Sequence, residues 1–159
     1  MIFSLDPINV WEQFANLSSI PRASKNEEAI RLYLFDFAKK YSLLAQQDAT
    51  GNVLITKKTS QLDSQRPTIA LQSHMDMVCE KEVTKQHDFT KDPITLLRDA
   101  DWIKADGTTL GADNGIGMAL QLAVLMCDED FGRDIECLFT VDEETGLTGA
   151  FGLEKDFLS

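Results

Sequence analysis

The strongest constraint on the fold is a long apolar segment that lies between two strand-like runs. Residues 114–128, "NGIGMALQLAVLMCD", are apolar on nearly all sides, which is typical of a helix buried between layers. "TIALQS" after Pro67 and "IECLFTVD" after Gly132 have the composition of buried strands, and "NVLITK" after Gly51 predicts another. Residues 81–110 are predicted to be irregular or short-stranded. Strand, crossover helix and strand together predict an α/β fold, with a parallel or mixed sheet flanked by helices.

Two amphipathic helices are predicted before the first strand. The first begins at Asp6–Pro7, with Asp6 as the N-cap and Pro7 in the first helical position. The second begins at Ser24, because "SKNE" matches a capping box in which Ser24 and Glu27 each satisfy the other's backbone N–H. The apolar positions at helical spacing, which mark the faces turned to the core, are Trp11, Phe14, Leu17, Ile30, Leu34, Phe37 and Tyr41.

Length and charge narrow the class of protein. The chain has 159 residues, enough for one domain with a substantial core. Its net charge of −11 argues against nucleic acid or an anionic membrane as a partner. The first residues lack the basic and apolar pattern of a secretory signal, and the apolar run "IGMALQLAVLMC" is too short to span a bilayer. Three cysteines set among apolar neighbours indicate reduced thiols, and the sequence therefore predicts a cytoplasmic protein.

Polar residues with metal-ligand chemistry follow or precede the predicted core elements. His74 and Asp76 come after the strand "TIALQS", Asp113 precedes the apolar helix, and Glu143 and Glu144 follow the strand "IECLFTVD". Each cluster also has a local explanation, since an aspartate before a helix is commonly an N-cap and a run of acids is commonly a solvated turn. However, ligands in open α/β sheets bind beyond the carboxyl ends of strands, so the three clusters are expected at one edge. That convergence favours a metal site.

The chemistry of this set suits divalent cations. Imidazole nitrogen and carboxylate oxygen bind Zn²⁺, and also Co²⁺ or Mn²⁺. A carboxylate that bridges two such ions holds a water whose pKa falls to near 7, and a second carboxylate can take its proton. The two adjacent glutamates could divide binding and proton transfer between them, and the residue types alone do not assign which does which.

Competing site motifs do not fit. The glycine patterns of dinucleotide-binding and phosphate-binding loops are absent, and "DADWIKADG" has Ile103 where a calcium loop requires an oxygen ligand. Neither His74 nor His87 stands beside a recognisable serine or cysteine nucleophile. His87 is interpreted as a hydrogen-bonded structural histidine, and Cys79, five residues after His74, is disfavoured as a ligand.

Four stretches of the chain closely resemble a known family. "LQSHMDMVCEK", "HDFTKDPI", "GTTLGADNGIGMA" and "DEETGLTGAFGL" are similar, in the same order, to the cytosolic aminoacyl-histidine dipeptidases. These enzymes belong to the di-zinc exopeptidase superfamily, which includes aminoacylases and tripeptidases. The long "GTTLGADNGIGMA" match favours the aminoacyl-histidine branch.

The resemblance implies a role for each of the converging residues. His74 would bind one zinc ion, and Asp76 would orient its imidazole from behind. Asp113 would bridge two zinc ions, Glu143 would be the general base, and Glu144 would bind the second zinc. The implied reaction is hydrolysis of a dipeptide substrate, with preference for a C-terminal histidine and with cleavage of β-alanyl-histidine as well.

The resemblance also implies features around these residues. The peptide bond between Asp113 and Asn114 is expected to be cis. Full members of the family are much longer, so residues 1–159 are expected to be the N-terminal part of a catalytic domain, without the lid domain and the C-terminal part. One further aspartate and one further histidine ligand would then lie beyond Ser159.

Three alternatives follow from this incompleteness. The chain could be a metallodipeptidase segment, a non-catalytic remnant or interaction module of the same fold, or part of a sibling aminoacylase or tripeptidase. The loss of neighbouring strands predicts an exposed edge at the strand from 135 to 142, and an exposed edge favours association into a homo-oligomer.

Overall fold

The computed structural model describes residues 5–60 and 66–159. Helices and short strands alternate along the chain. The helices are α1 (Ile8–Ser18), α2 (Glu28–Lys40), α3 (Ala112–Met126) and α4 (Thr148–Phe151), and the strands are β1 (Leu44–Gln47), β2 (Val53–Lys57), β3 (Ile69–His74), β4 (Leu96–Asp99), β5 (Trp102–Ala105) and β6 (Ile135–Thr140).

A four-stranded mixed sheet in the order β1-β2-β6-β3 organises the fold. β3 and β6 run parallel, with Ile69 opposite Ile135 and His74 opposite Thr140, and α3 is the crossover that joins them. β2 runs antiparallel to both β1 and β6. The predicted mixed sheet flanked by helices is confirmed. Since β3 and β6 are parallel neighbours, their carboxyl ends lie side by side, and this places the segments that follow them together.

The core forms where the helices pack on the sheet. α1 packs on α3, α3 packs on β3 and β6, and α2 packs on β1 and β2. All six residues of β6 are buried, as expected for a central strand. Met118 and Leu122 of α3 are fully buried, but Leu120 is 51% exposed, so this helix is covered on most of its surface rather than all of it.

The first helix begins later than predicted. Pro7, not Asp6, is the N-cap of α1, and it has extended backbone angles (φ −73°, ψ 129°). Because helical geometry begins only at Ile8, Asp6 lies outside the helix, and no side chain caps the N-terminus.

The predicted capping box before the second helix is wrong. α2 begins at Glu28, and Glu27 occupies the N-cap without a side-chain cap hydrogen bond. The Ser24 hydroxyl instead donates to Asp76 Oδ2 at 2.7 Å, and Glu27 Oε1 accepts the N–H of Asp142 at 3.0 Å. Partners that are distant in sequence have therefore replaced the local capping interactions.

The exposed sheet edge also differs from the prediction. β6 is central, and among the described residues β3 forms the edge of the sheet next to it, with Ile69 38% exposed.

The predicted short strands between 81 and 110 are confirmed as the hairpin β4–β5, whereas β1 was not predicted. The three cysteines are unpaired thiols, as expected. None of the helices in residues 5–60 and 66–159 is long and apolar enough to cross a membrane.

Candidate metal centre

The ends of β3 and β6 and the start of α3 bring the predicted ligand residues together. His74 Nε2 lies 3.0 Å from Asp113 Oδ1 and 3.8 Å from Glu143 Oε2. Three possible metal-donor atoms, one from each of His74, Asp113 and Glu144, lie within 4.8 Å of one another. The three clusters, which are spread over seventy positions of sequence, therefore meet at one edge of the sheet, as predicted.

The backbone at Asp113 departs from the helix that contains it. Asp113 has non-helical angles (φ −87°, ψ 113°) near the start of α3, and the Asp113–Asn114 peptide bond is cis, as expected. A Cβ atom at Gly117 would lie 2.0 Å from Asn114 Oδ1, so a larger residue at this position would displace the Asn114 side chain. The Asp113 side chain is 84% exposed and stands at the opening of the site.

The imidazole of His74 is held between two carboxylates. Its side chain is only 6% exposed. Nδ1 lies 3.1 Å from the backbone oxygen of Asp76 and 3.2 Å from Asp76 Oδ1, and both of these atoms accept a hydrogen bond from the Nδ1 proton. Nε2 is thereby left to face Asp113. This tautomer is the one in which a histidine presents Nε2 to a metal ion while a carboxylate fixes the ring from behind.

The same contacts shift the pKa of His74. Burial alone would lower this pKa, but the hydrogen bonds to Asp76 and Asp113 and the charge of Glu143 outweigh it and raise the pKa to about 9. The pKa of Asp76 is held well below its usual range. Burial opposes that shift, and the hydrogen bonds from His74, from Ser24 and from backbone N–H groups overcome it.

Asp76 contacts more of the site than its histidine. It is fully buried, at 0% exposure. Besides His74 and Ser24, its two carboxylate oxygens accept the backbone N–H groups of Glu143 (3.0 Å) and Glu144 (3.1 Å). Asp76 therefore fixes the imidazole on one side and the backbone of both glutamates on the other. The contact of Asp76 with His74 agrees with the role that the resemblance implies. The sequence did not indicate the second contact, with the backbone of the two glutamates.

The glutamates differ in their surroundings. The Glu143 side chain is 35% exposed and lines an open cavity of about 390 Å³ together with His74, Asp113 and Asn114. Burial and the neighbouring Glu143, Asp113 and Asp76 charges raise the pKa of Glu144, although His74 opposes the shift. A carboxylate in this position gains from a cation that offsets the surrounding negative charge.

Arg22 supports the site and was missed in the sequence. It is 2% exposed, and its Nη1 donates to the backbone oxygens of Met75 (3.0 Å) and Asp76 (3.1 Å). Nη2 donates to the backbone oxygen of Gly111. Burial lowers the pKa of Arg22 to about 10, so the guanidinium remains protonated at neutral pH. It ties the segment after His74 to the loop before Asp113, and an arginine in a short loop gives no periodic signal that could reveal this.

Two other candidate side chains stay outside the donor cluster. Cys79 Sγ lies 3.6 Å from the backbone oxygen of Met77 and is not among the clustered donors of the described residues. His87 packs edge-on against Phe89, with ring centroids 4.4 Å apart. Its buried Nε2 has no hydrogen-bond partner in the part of the chain that the structure describes, so the prediction of a hydrogen-bonded histidine is wrong for this nitrogen.

Similarity to known proteins runs along nearly the whole chain. The chain is 45% identical over 154 residues to the cytosol non-specific dipeptidase of Escherichia coli (strain K12), a match that covers 97% of the chain and 32% of that protein. The crystal structure of aminoacylhistidine dipeptidase from Vibrio alginolyticus matches with a TM-score of 0.91 and 45% identity, covering 100% of this chain and 32% of that one. The chain is a relative of the aminoacylhistidine dipeptidases.

These matches cover nearly all of this chain but only part of each relative. The chain spans about a third of the length of these relatives. A tripeptidase from Staphylococcus aureus subsp. aureus Mu50 has the same fold, with a TM-score of 0.78 and 26% identity over 95% of this chain and 40% of that one. No protein-family model matches the chain.

Proposed function

We propose that residues 1–159 form part of the catalytic domain of a metallodipeptidase and supply some of the ligands of a two-metal site. The observation that carries the proposal is the convergence of His74, Asp113 and Glu144 donor atoms within 4.8 Å, with the His74 tautomer fixed by Asp76. The likeness to dipeptidases over the whole chain supports the same conclusion.

The donor set fits a pair of divalent cations. One imidazole nitrogen and two carboxylate oxygens are the usual ligands of Zn²⁺ in catalytic sites, and they also suit Co²⁺ or Mn²⁺. We assign His74 to one ion, Glu144 to the other and Asp113 to both, because Asp113 is the exposed carboxylate that stands nearest the imidazole. With Asp113 shared, this chain offers each ion two ligands, fewer than the three protein ligands that catalytic zinc usually has.

The residues of this chain have distinct tasks in the proposed hydrolysis. Bound metal ions would polarise the peptide carbonyl and lower the pKa of the attacking water. Glu143 is not one of the three clustered donors and it lines the open cavity, so we assign it as the general base that accepts the water proton and delivers it to the departing amine. Asp76 keeps the Nδ1 proton of His74 in place, so that Nε2 stays turned to the cavity.

The substrate that we propose is a dipeptide, with those that end in histidine as the favoured class. The two similar dipeptidases differ on this point in name, since one is called non-specific and the other is named for aminoacyl-histidine substrates. Hydrolysis of matched dipeptides with and without a C-terminal histidine, by the protein that carries this chain, separates the two. A preference for tripeptides would favour the sibling tripeptidase instead.

The experiment that tests the site is a calorimetric titration of this chain with Zn²⁺. We expect binding that is micromolar or tighter, and its loss in both His74→Ala and Asp113→Ala. Asp106→Ala is the matched control, because Asp106 is an exposed carboxylate paired with Lys85 outside the donor cluster. Binding that is equal in all four proteins would refute the assignment of the site.

A second variant separates binding from chemistry. Because Glu143 is assigned as base and not as ligand, Glu143→Gln should retain zinc affinity within a fewfold while hydrolysis of any accepted dipeptide is lost. Loss of zinc binding in Glu143→Gln would show that the two glutamates have been assigned the wrong way round.

Two further properties complete the proposal. The E. coli relative is named as a cytosol enzyme, and we place this chain in the same compartment. Association of copies through the open edge of β3 stays a prediction, which size-exclusion chromatography with light scattering tests.

A further inference from the structure

The turn that carries both glutamates is held by buried carboxylates from two other segments. Three consecutive backbone N–H groups point at them. The N–H of Asp142 donates to Glu27 Oε1 at 3.0 Å, and those of Glu143 and Glu144 donate to the two oxygens of Asp76 at 3.0 and 3.1 Å. Hydrogen bonds to charged acceptors are about twice as strong as neutral ones, so this arrangement sets the turn firmly.

Glu27 joins the start of α2 to this distant turn. It is 5% exposed and lies 115 residues from Asp142 in sequence. Its Oε1 also accepts the N–H of Lys25 at 3.0 Å, which holds the carboxylate in one orientation. The side chain makes no cap hydrogen bond to α2, although Glu27 is the N-cap residue of that helix.

The turn has a defined internal geometry. Asp142 has a left-handed backbone (φ 49°), a conformation that aspartate adopts more readily than most L residues. The Asp142 carboxylate accepts hydrogen bonds from the hydroxyl groups of Thr145 and Thr148. The Asp142 side chain therefore closes the turn from within. The outer hydrogen bond to Glu27 then fixes where this closed turn lies relative to the rest of the site.

The crowding of acids at this point has a structural explanation. Oxygen atoms of Glu27, Asp76 and Asp142 lie within 4.8 Å of one another, and all three residues are buried. Each accepts hydrogen bonds from N–H or O–H donors, so the donors of the protein itself account for the cluster. A carboxylate held near two others must gain enough from its own contact to offset the repulsion. Glu27 gains this from the backbone N–H groups of Lys25 and Asp142, which both donate to its Oε1.

We propose that Glu27 is a positioning residue, whose carboxylate holds the Asp142 N–H and so sets the backbone from which Glu143 and Glu144 reach the site. Its carboxylate bonds to the backbone of the turn, at the Asp142 N–H, and acts through that turn on Glu143 and Glu144. The link to metal binding rests on the proposed function, in which Glu144 is a ligand, but the contact with the turn does not depend on that function.

The first test uses the metal-free chain and amide hydrogen exchange measured by NMR. In Glu27→Ala the Asp142 N–H loses its acceptor, and we expect its exchange to accelerate at least tenfold, with the amides of Glu143 and Glu144 accelerating less. Glu27→Gln keeps an oxygen acceptor and should stay within about threefold of the wild type. Glu28→Ala is the matched control, because the neighbouring Glu28 is exposed and pairs only with Arg31 in the salt bridges of the described residues.

The pattern of exchange distinguishes positioning from general support. A merely structural role would accelerate exchange along α2 (Glu28–Lys40) and the core strands as much as at Asp142. Equal acceleration everywhere, or no acceleration at Asp142, would overturn the proposal. If Glu27→Ala does not fold, Glu27→Asp provides the same test, since it withdraws the acceptor by one methylene and keeps the charge.

The second test measures zinc affinity of the same variants by calorimetry. We expect the dissociation constant for zinc to be at least tenfold larger in Glu27→Ala than in the wild type. In Glu27→Gln it should lie within threefold of the wild-type value. If the wild-type chain binds no zinc, the proposed function fails, while the exchange data alone still decide the positioning role. If the wild type binds zinc and Glu27→Ala binds it equally well, the inference is wrong and the function stands.

Discussion

In the metal-free protein, His74 should be protonated throughout the neutral range, and metal binding should displace that proton. Both ring nitrogens face oxygen acceptors, Nδ1 towards Asp76 and Nε2 towards Asp113. The doubly protonated imidazolium satisfies both acceptors, and the contacts raise its pKa to about 9 despite burial. A cation at Nε2 must therefore compete with a proton.

The size of this competition follows from the pKa. With a pKa of about 9, roughly one His74 in a hundred is deprotonated at pH 7, whereas most would be at the usual pKa near 6.5. The competition therefore costs on the order of 3 kcal/mol of apparent binding free energy at pH 7. Because the raised pKa favours the protonated form, affinity should rise about tenfold per pH unit and level off only near pH 9. Without the shift it would level off near pH 7.

The assay combines an NMR titration with calorimetry. The imidazole nitrogens of the metal-free chain should show a His74 midpoint near 9, and the spectrum of His87→Gln assigns the two histidines. The same midpoint should fall in Asp76→Asn, which removes a carboxylate acceptor. Zinc titrations near pH 7 in two buffers of different ionisation enthalpy should show about one proton released from His74 per chain, when its ion binds. A His74 midpoint at or below 6.5, or affinity that is constant from pH 7 to 8.5, would refute the argument.

Two substitutions test the framework behind the ligands. Arg22→Ala removes the donors that join Met75 and Asp76 to Gly111, so zinc binding should weaken at least tenfold, and millimolar guanidinium should partly restore it where methylammonium does not. Equal effects of the two cations would contradict a planar, multidentate role. Gly111→Ala places a Cβ 2.5 Å from Arg22 Nη2 in a left-handed backbone (φ 67°). The backbone alone costs about 1–2 kcal/mol, so the thermal midpoint should drop by several degrees and zinc binding should weaken. An unchanged midpoint would contradict the left-handed backbone and the close packing at Gly111.

The sequence predicts the layout of the fold because hydrophobic periodicity reports it directly. The apolar segment around Met118 and Leu122 and its two flanking strands show a parallel pair and its crossover helix, and the structure has this arrangement. The strand-end rule for ligands then places His74, Asp113 and Glu144 together. The strand β1 (Leu44–Gln47) was missed, because its pattern of mostly exposed residues lacks the alternation that marks a half-buried strand.

The residues that support the site could not be predicted in the same way. Ser24 and Glu27 have the spacing of a capping box, and the local interpretation was the natural one. Both side chains instead bond to residues 52 and 115 positions away, so the deciding partners are absent from any short window of sequence. Arg22 is similar, since its partners are backbone oxygens, which every residue has and no residue type reveals.

The contrast between exposed site residues and buried supports indicates where the precision of the site arises. The His74 side chain is buried, at 6% exposure, but the assigned ligand Asp113 is 84% exposed and the assigned base Glu143 is 35% exposed, so little packing holds these two side chains. Arg22 and Asp76 are almost fully buried and bond to the backbone of the segments that carry the site residues. The positions of Asp113 and Glu143 are therefore set by the backbone more than by the packing of their own side chains. It follows that a substitution at a supporting residue should weaken metal binding by shifting a whole segment, and should do so even when every ligand is intact.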